Sequence, residues 1–222
     1  MVNDISKYID FTLLKADASV EMFKKLCEEA KDYRFYSVCI PPYTVKECKR
    51  FLENSGVKIT TVIGFPAGYA STASKVFEIK KAVEDGADEI DAVMNVSAFK
   101  SGKFDYVLSE LAELRKAADK QILKIIIETC FLTGEEIIKA SKLVCESGAD
   151  FVKTSTGFGA GGAKLEDIGL IKKSVPENVK IKASGGIKTY EQAESFLKAG
   201  ASRIGTSSVI VKNFTAVPDT DK

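Results

Sequence analysis

Lysine is seldom buried unless it has a task, yet two lysines of this chain stand where apolar runs end and glycine loops begin. Residues 151–162 read Phe-Val-Lys-Thr-Ser-Thr-Gly-Phe-Gly-Ala-Gly-Gly, so Lys153 follows two apolar residues and precedes three hydroxyls and four glycines. Residues 180–187, Lys-Ile-Lys-Ala-Ser-Gly-Gly-Ile, repeat the design around Lys182. Runs so rich in glycine are not strand or helix interiors; they free backbone N–H groups to turn toward a ligand, often an anion. A neutral lysine amine attacks carbonyl carbon, and burial beside a second cation lowers its pKa from about 10.4. Lys153 next to Lys182 therefore points to a Schiff base with a carbonyl substrate. A lysine snorkelling from a strand end to the surface is the other reading of that stretch.

Side-by-side lysines at strand ends need a parallel sheet, and the apolar pattern supplies one. Residues 9–12, 37–40, 57–63, 89–94, 122–127, 151–153, 179–183 and 203–205 read as strands. Helical spacing follows each of them. Val20, Phe23, Cys27 and Ala30 form the first helix, with Asp17 to Ser19 as caps, and Thr44 offers a cap to a second. Val76, Ile79 and Val83 mark a third; Phe104, Val107, Leu111 and Leu114 a fourth; Gly134 opens a fifth. Residues 165–173 and 190–198 follow, then a short, irregular helix over 207–212 and a frayed tail from about 215.

Gly86-Ala87-Asp88, Gly148-Ala149-Asp150 and Gly200-Ala201-Ser202 each fall between a helix and a strand, 62 and 52 residues apart. Two strand–helix units fit each interval. Eight alternating units predict a (β/α)8 barrel formed as one domain over residues 1–222. A doubly wound open sheet is the alternative, but its first strand leads into Gly-x-Gly-x-x-Gly, which this one lacks.

Composition narrows the chemistry further. Histidine is absent, which removes Ser-His-Asp and Cys-His catalysis and the commonest ligand of catalytic zinc. Thirty-two basic residues against 31 acidic ones leave a net charge of +1, with no basic run to attract nucleic acid. No apolar run approaches the ~20 residues that span a membrane. Five cysteines form no Cys-x-x-Cys pair and the N-terminus carries no export signal, so a cytoplasmic protein with reduced thiols is expected.

Residues at the carboxyl ends of barrel strands line the active face. That rule selects Asp10, Thr12, Cys39, Asp91, Lys124, Glu128, Lys153 and Lys182. Lys124 and Glu128, four apart in one strand, are expected to face the same way. Asp91 suits proton transfer, or a buried salt bridge to Lys124 or Lys182. Lys124 reads equally as a counterion, Cys39 as a small buried hydrophobe, and Glu128 as a strand-end brace. Loops after strands seven and eight of such barrels often bind phosphate. Here they hold Ser184, Gly185 and Gly186, and Gly205, Thr206, Ser207 and Ser208, both expected to lead into helix N-termini. Thr156 and Gly157 add donors from the strand-six loop, unless these glycines only turn corners.

Residues 151–159, 182–187, 87–91 and 10–14 together resemble deoxyribose-phosphate aldolases, a class I, Schiff-base family, over about residues 8–211. The resemblance implies that Lys153 is the nucleophile, Lys182 its neighbour and Asp91 a proton carrier. It implies reversible cleavage of 2-deoxy-D-ribose 5-phosphate to acetaldehyde and D-glyceraldehyde 3-phosphate, with no metal and no organic cofactor. Asp10 and Thr12 are then binders of substrate hydroxyls. Two departures stand out. Some relatives carry lysine where this chain has Phe158, and others end in a tyrosine where this one ends Thr-Asp-Lys. An aldolase of ketose phosphates and a non-catalytic sugar-phosphate-binding barrel remain competing readings. Oligomeric state is not fixed by the sequence; a dimer or tetramer is compatible with it.

Overall fold

Gly86, Gly148 and Gly200 close helices with φ of 104°, 80° and 122°, a region that side chains with a Cβ avoid. Each returns the chain to a new strand, and the three mark the same corner of the architecture. The computed structural model describes residues 4–210. Its strands are β1 (Ile9–Thr12), β2 (Ser37–Ile40), β3 (Lys58–Ile63), β4 (Glu89–Val93), β5 (Ile122–Ile126), β6 (Phe151–Lys153), β7 (Lys180–Ser184) and β8 (Arg203–Thr206). All pair in parallel with the next in sequence, and β8 pairs with β1, so the sheet closes into a (β/α)8 barrel. Closure rules out the open doubly wound sheet.

Eight α-helices surround the strands among the described residues. They are α1 (Val20–Asp32), α2 (Val45–Phe51), α3 (Thr72–Glu84), α4 (Val96–Lys100), α5 (Phe104–Ala118), α6 (Gly134–Glu146), α7 (Leu165–Ser174) and α8 (Tyr190–Ala199). None is long and apolar enough to cross a membrane. Thr133 with Glu136, and Thr189 with Gln192, form capping boxes that start α6 and α8. The expected caps at Ser19 and Thr44 differ: neither side chain accepts from a backbone N–H of its helix, and the Thr44 hydroxyl donates to the Pro41 carbonyl instead. The helix expected over 207–212 is absent from residues 207–210, which bend without helical pairing; its remainder lies outside the described residues, as does the tail.

Alternation along the strands separates two environments. Ile9, Val38, Ile90, Ile125, Val152 and Ile204 face outward into one apolar cluster with the inner faces of the helices. Burying each such side chain stabilises the fold by ~1.5–3 kcal/mol. Their neighbours Asp10, Asp91, Lys124, Lys153 and Lys182 turn inward and are buried to within 3% of complete. Buried ion pairs roughly break even against their desolvation, so the apolar layer carries stability and the interior is free for chemistry.

One helix face departs from expectation. Lys75, Ile79 and Ala82 are the buried positions of α3, whereas Val76 and Val83 are only partly covered. The reason is an ion pair. Lys75 Nζ lies 2.9 Å from Glu110 Oε1 on α5 and donates to the Val93 carbonyl at 2.8 Å, with neither side chain exposed. That pair braces the end of β4, two residues beyond Asp91.

Candidate active site

Parallel register sets the interior charges opposite one another. Asp91 pairs with Lys124 across β4 and β5, and Lys153 with Lys182 across β6 and β7. Asp91 is the hub: its Oδ1 accepts from Lys124 Nζ at 2.8 Å, and its Oδ2 from both Lys153 and Lys182 at 2.7 Å. Lys182 also donates to Asp10 Oδ2. Lys124 reaches Glu89 Oε2 at 2.5 Å. Both readings of Asp91 are thus compatible with the geometry: it is a buried counterion, and it touches the amine expected to react.

Burial and charge act differently on each group. Desolvation lowers the pKa of Lys153, Asp91 opposes this, and Lys182 lowers it further; the net result is below the usual lysine range. Burial also disfavours charge on Lys182, but Asp10 and Asp91 outweigh it and hold Lys182 above that range. Lys124 is likewise raised, chiefly by Asp91 and Asp10 against the effect of burial. Burial alone would raise Asp91 and Asp10, yet the surrounding cations keep both well below ordinary carboxylates. Lys153 is the one lysine of this interior group pushed toward its free amine.

A cavity of about 210 Å³ opens at the carboxyl ends of the strands, and Lys153 is the one member of the ionic cluster on its wall. Thr12, Thr156, Gly157, Gly185, Gly186, Gly205 and Ser207 line it too, as expected. Asp10, Cys39, Asp91, Lys124 and Lys182 lie off that wall, and so does Ser208, whose N–H donates to Thr206 Oγ1 at 3.0 Å. Asp10, Cys39, Lys124 and Ser208, expected to bind substrate, thus stand behind this wall. Thr12 lines the cavity while its hydroxyl donates to the Asp10 carbonyl at 2.9 Å. Burial pushes the Cys39 thiol up, away from the reactive thiolate.

The phosphate loops also differ in detail. No helix follows β8 among the described residues, and the first turn of α8 is already capped by Thr189. Gly205 is required by space: a Cβ would meet Ser184 Cβ at 2.9 Å and Lys182 Cε at 3.2 Å.

Glu128 is not on β5 beside Lys124. It lies two residues past the strand with φ of 53° and turns away from the lysines. Its carboxylate accepts the Thr156 N–H at 3.2 Å and the Thr156 hydroxyl. It thus straps the loop that follows Lys153. The third carboxylate of the interior is instead Glu89, joined by Arg203. Neither was among the expected site residues, although Glu89 lies two before Asp91 and Arg203 two before Gly205. The period of two that places one inside places the other.

Comparison with known proteins agrees with this geometry. A sequence model of DeoC/LacD family aldolases matches residues 6–208. A deoxyribose-phosphate aldolase of Thermococcus gammatolerans is 54% identical over 209 residues, covering 92% of this chain and 93% of its own. One from Clostridioides difficile is 53% identical, covering 94% and 96%. The deoxyribose phosphate aldolase structure from Aeropyrum pernix, described as a unique tetramer, superposes with a TM-score of 0.86 at 32% identity, over 91% and 86% of the two chains. A match over nearly the whole chain, at more than half identity, leaves one conclusion: this protein belongs to the DeoC/LacD family of aldolases and is a lyase.

Proposed function

We propose that the enzyme is a 2-deoxy-D-ribose 5-phosphate aldolase working through an imine on Lys153. The observation that carries this reading is the position of Lys153, the one cavity-wall lysine of a buried ionic cluster and the one pushed toward its free amine. The neutral amine attacks the C1 aldehyde, and loss of water gives an iminium. The iminium accepts the electron pair of the C2–C3 bond as the C3 hydroxyl gives up its proton. D-glyceraldehyde 3-phosphate leaves and an enamine remains. Protonation at C2 and addition of water release acetaldehyde and restore the amine, so the water expelled is the water consumed.

Asp91 Oδ2 touches both Lys153 and Lys182, so a proton leaving Lys153 has an acceptor in contact and a fixed positive charge beside it. The substrate phosphate falls to the glycine loops at Gly157, Gly185, Gly186 and Ser207, all on the cavity wall. Phe158, where some relatives have lysine, is 56% exposed and packs edge-on to Phe65 at 5.1 Å. Charge for the phosphate then comes from elsewhere on the wall, where Lys15 and Lys188 stand. By analogy with the Aeropyrum pernix protein, assembly as a homo-oligomer is part of the proposal, checked by light scattering against the 24.1 kDa chain.

The test is borohydride reduction with acetaldehyde present, followed by peptide mass mapping. A two-carbon adduct on Lys153 is expected; an adduct on Lys124 or Lys182 alone overturns the assignment. Product analysis separates the competing ketose-phosphate aldolase, which releases dihydroxyacetone phosphate rather than acetaldehyde.

A further inference from the structure

The barrel interior does not balance its charges. Among the described residues it holds the cations Lys124, Lys153, Lys182 and Arg203 against the carboxylates Asp10, Glu89 and Asp91. Fully ionised, four positive charges face three negative ones. An uncompensated charge in a buried site is costly, so the cheapest proton to lose is lost. Lys182 touches two carboxylates, Asp10 and Asp91, and Lys124 touches Glu89 and Asp91. Lys153 has only the Asp91 oxygen that it shares with Lys182. Its proton is held least firmly.

Arg203 creates this excess. It pairs with Lys182 in the β7–β8 register, one strand from the reacting pair and away from the cavity wall. Its Nη1 donates to Asp10 Oδ1 at 2.8 Å and to Glu89 Oε2 at 3.0 Å, and its guanidinium stacks 3.5 Å over the Tyr36 ring. A guanidinium does not deprotonate in proteins. It therefore occupies two of the three carboxylates permanently, and a lysine has to yield instead.

We propose that Arg203 is a positioning residue: its fixed charge against Asp10 and Glu89 leaves the interior one cation in excess and makes Lys153 the amine that rests unprotonated. The inference deepens the imine reading and rests on it. Acting directly on Lys153 are Asp91 on β4, Lys182 on β7 and Cys39 on β2. Behind them the same ionic network holds Asp10 on β1, Tyr36 before β2, Glu89 on β4, Lys124 on β5 and Arg203 on β8. Shifts in those groups agree in sign: Lys124, Lys182 and Arg203 are stabilised as cations, and Lys153 is not.

Counting charge makes the test specific. Arg203→Met removes the excess, so Lys153 takes up its proton. Glu89→Gln increases the excess to two, so Lys153 is driven further toward the free amine. The double variant restores an excess of one. The measurement is the pH dependence of Lys153 labelling by trinitrobenzenesulfonate, mapped by mass spectrometry without substrate, alongside the pH profile of kcat/KM. The midpoint is expected to move up by about one unit or more in Arg203→Met, a tenfold change in reactivity below it. It is expected to move down in Glu89→Gln and to return to the wild-type value in the double variant. Should Arg203→Met not fold, the upward return of the midpoint from Glu89→Gln to the double variant isolates the charge of Arg203, and no difference between those two variants overturns its role. Unchanged midpoints, or shifts of the same sign in both single variants, overturn the role of Arg203. Failure of the imine reading is separate: wild-type protein then gives no borohydride-trapped adduct, whatever the labelling shows.

Discussion

Lys153 and Lys182 donate to the same oxygen, Asp91 Oδ2, each at 2.7 Å. Two ammonium groups ~4 Å apart repel by about 4 kcal/mol at an effective dielectric of ~20. That is enough to decide which gives up its proton, and Asp10 decides in favour of Lys182 keeping its own. The pair is a division of labour: one lysine reacts and the other holds charge.

Lys182→Met keeps a chain of similar length and removes that charge. The ammonium form of Lys153 is then less disfavoured, its pKa rises, and less free amine is present near pH 7. The ascending limb of the pH–rate profile is expected to move to higher pH, with the neutral-pH rate down tenfold for each unit and recovery in alkali. A variant equally inactive at every pH assigns Lys182 to proton transfer or substrate binding instead.

Asp91→Asn removes the hub rather than a single contact. Turnover is expected to fall by ~10²–10⁴-fold, the span of a general acid–base group. Three buried lysines also lose their shared carboxylate, at a cost of about 3–5 kcal/mol, or a drop in Tm of roughly 6–20 °C. Thermal unfolding and steady-state kinetics check the two effects separately. Near-normal turnover with a lowered Tm leaves Asp91 as a counterion alone.

Gly205→Ala tests the fit beneath the cavity. The added methyl meets Ser184 Cβ at 2.9 Å and Lys182 Cε at 3.2 Å, so Lys182 has to shift. Overpacking of this kind costs ~1–3 kcal/mol, which leaves the protein folded. Activity is expected to drop at least about tenfold, one unit of pKa in Lys153 being worth that much. Full activity with an unchanged pH profile contradicts this account of Lys182.

Ser207→Asp places a negative charge at an exposed position on the cavity wall. KM for deoxyribose 5-phosphate is expected to rise, with little change toward unphosphorylated deoxyribose. Equal losses on both substrates move the phosphate away from this loop.

Much of this enzyme could be read without coordinates. Strict alternation of short apolar strands with amphipathic helices determines a parallel sheet, because each strand needs helices to cover its outward face. That the eight strands close into a barrel rather than an open sheet rests on the pairing of β8 with β1. Lys153 and Lys182 announced themselves because a lysine at the end of an apolar strand, followed by glycines, has few structural uses. Tertiary structure alone decided the balance of charge around them. Glu89 and Arg203 stand at strand beginnings, where charged residues ordinarily meet solvent, and only barrel closure brings them within 3.0 Å of each other. Glu128 shows the converse: its spacing from Lys124 fits one strand face, but the strand ends at Ile126 and a left-handed residue turns the carboxylate to Thr156. Local pattern follows from the period of side chains along the backbone. Which charges meet inside depends on strand ends and closure, which link residues as far apart as Asp10 and Arg203.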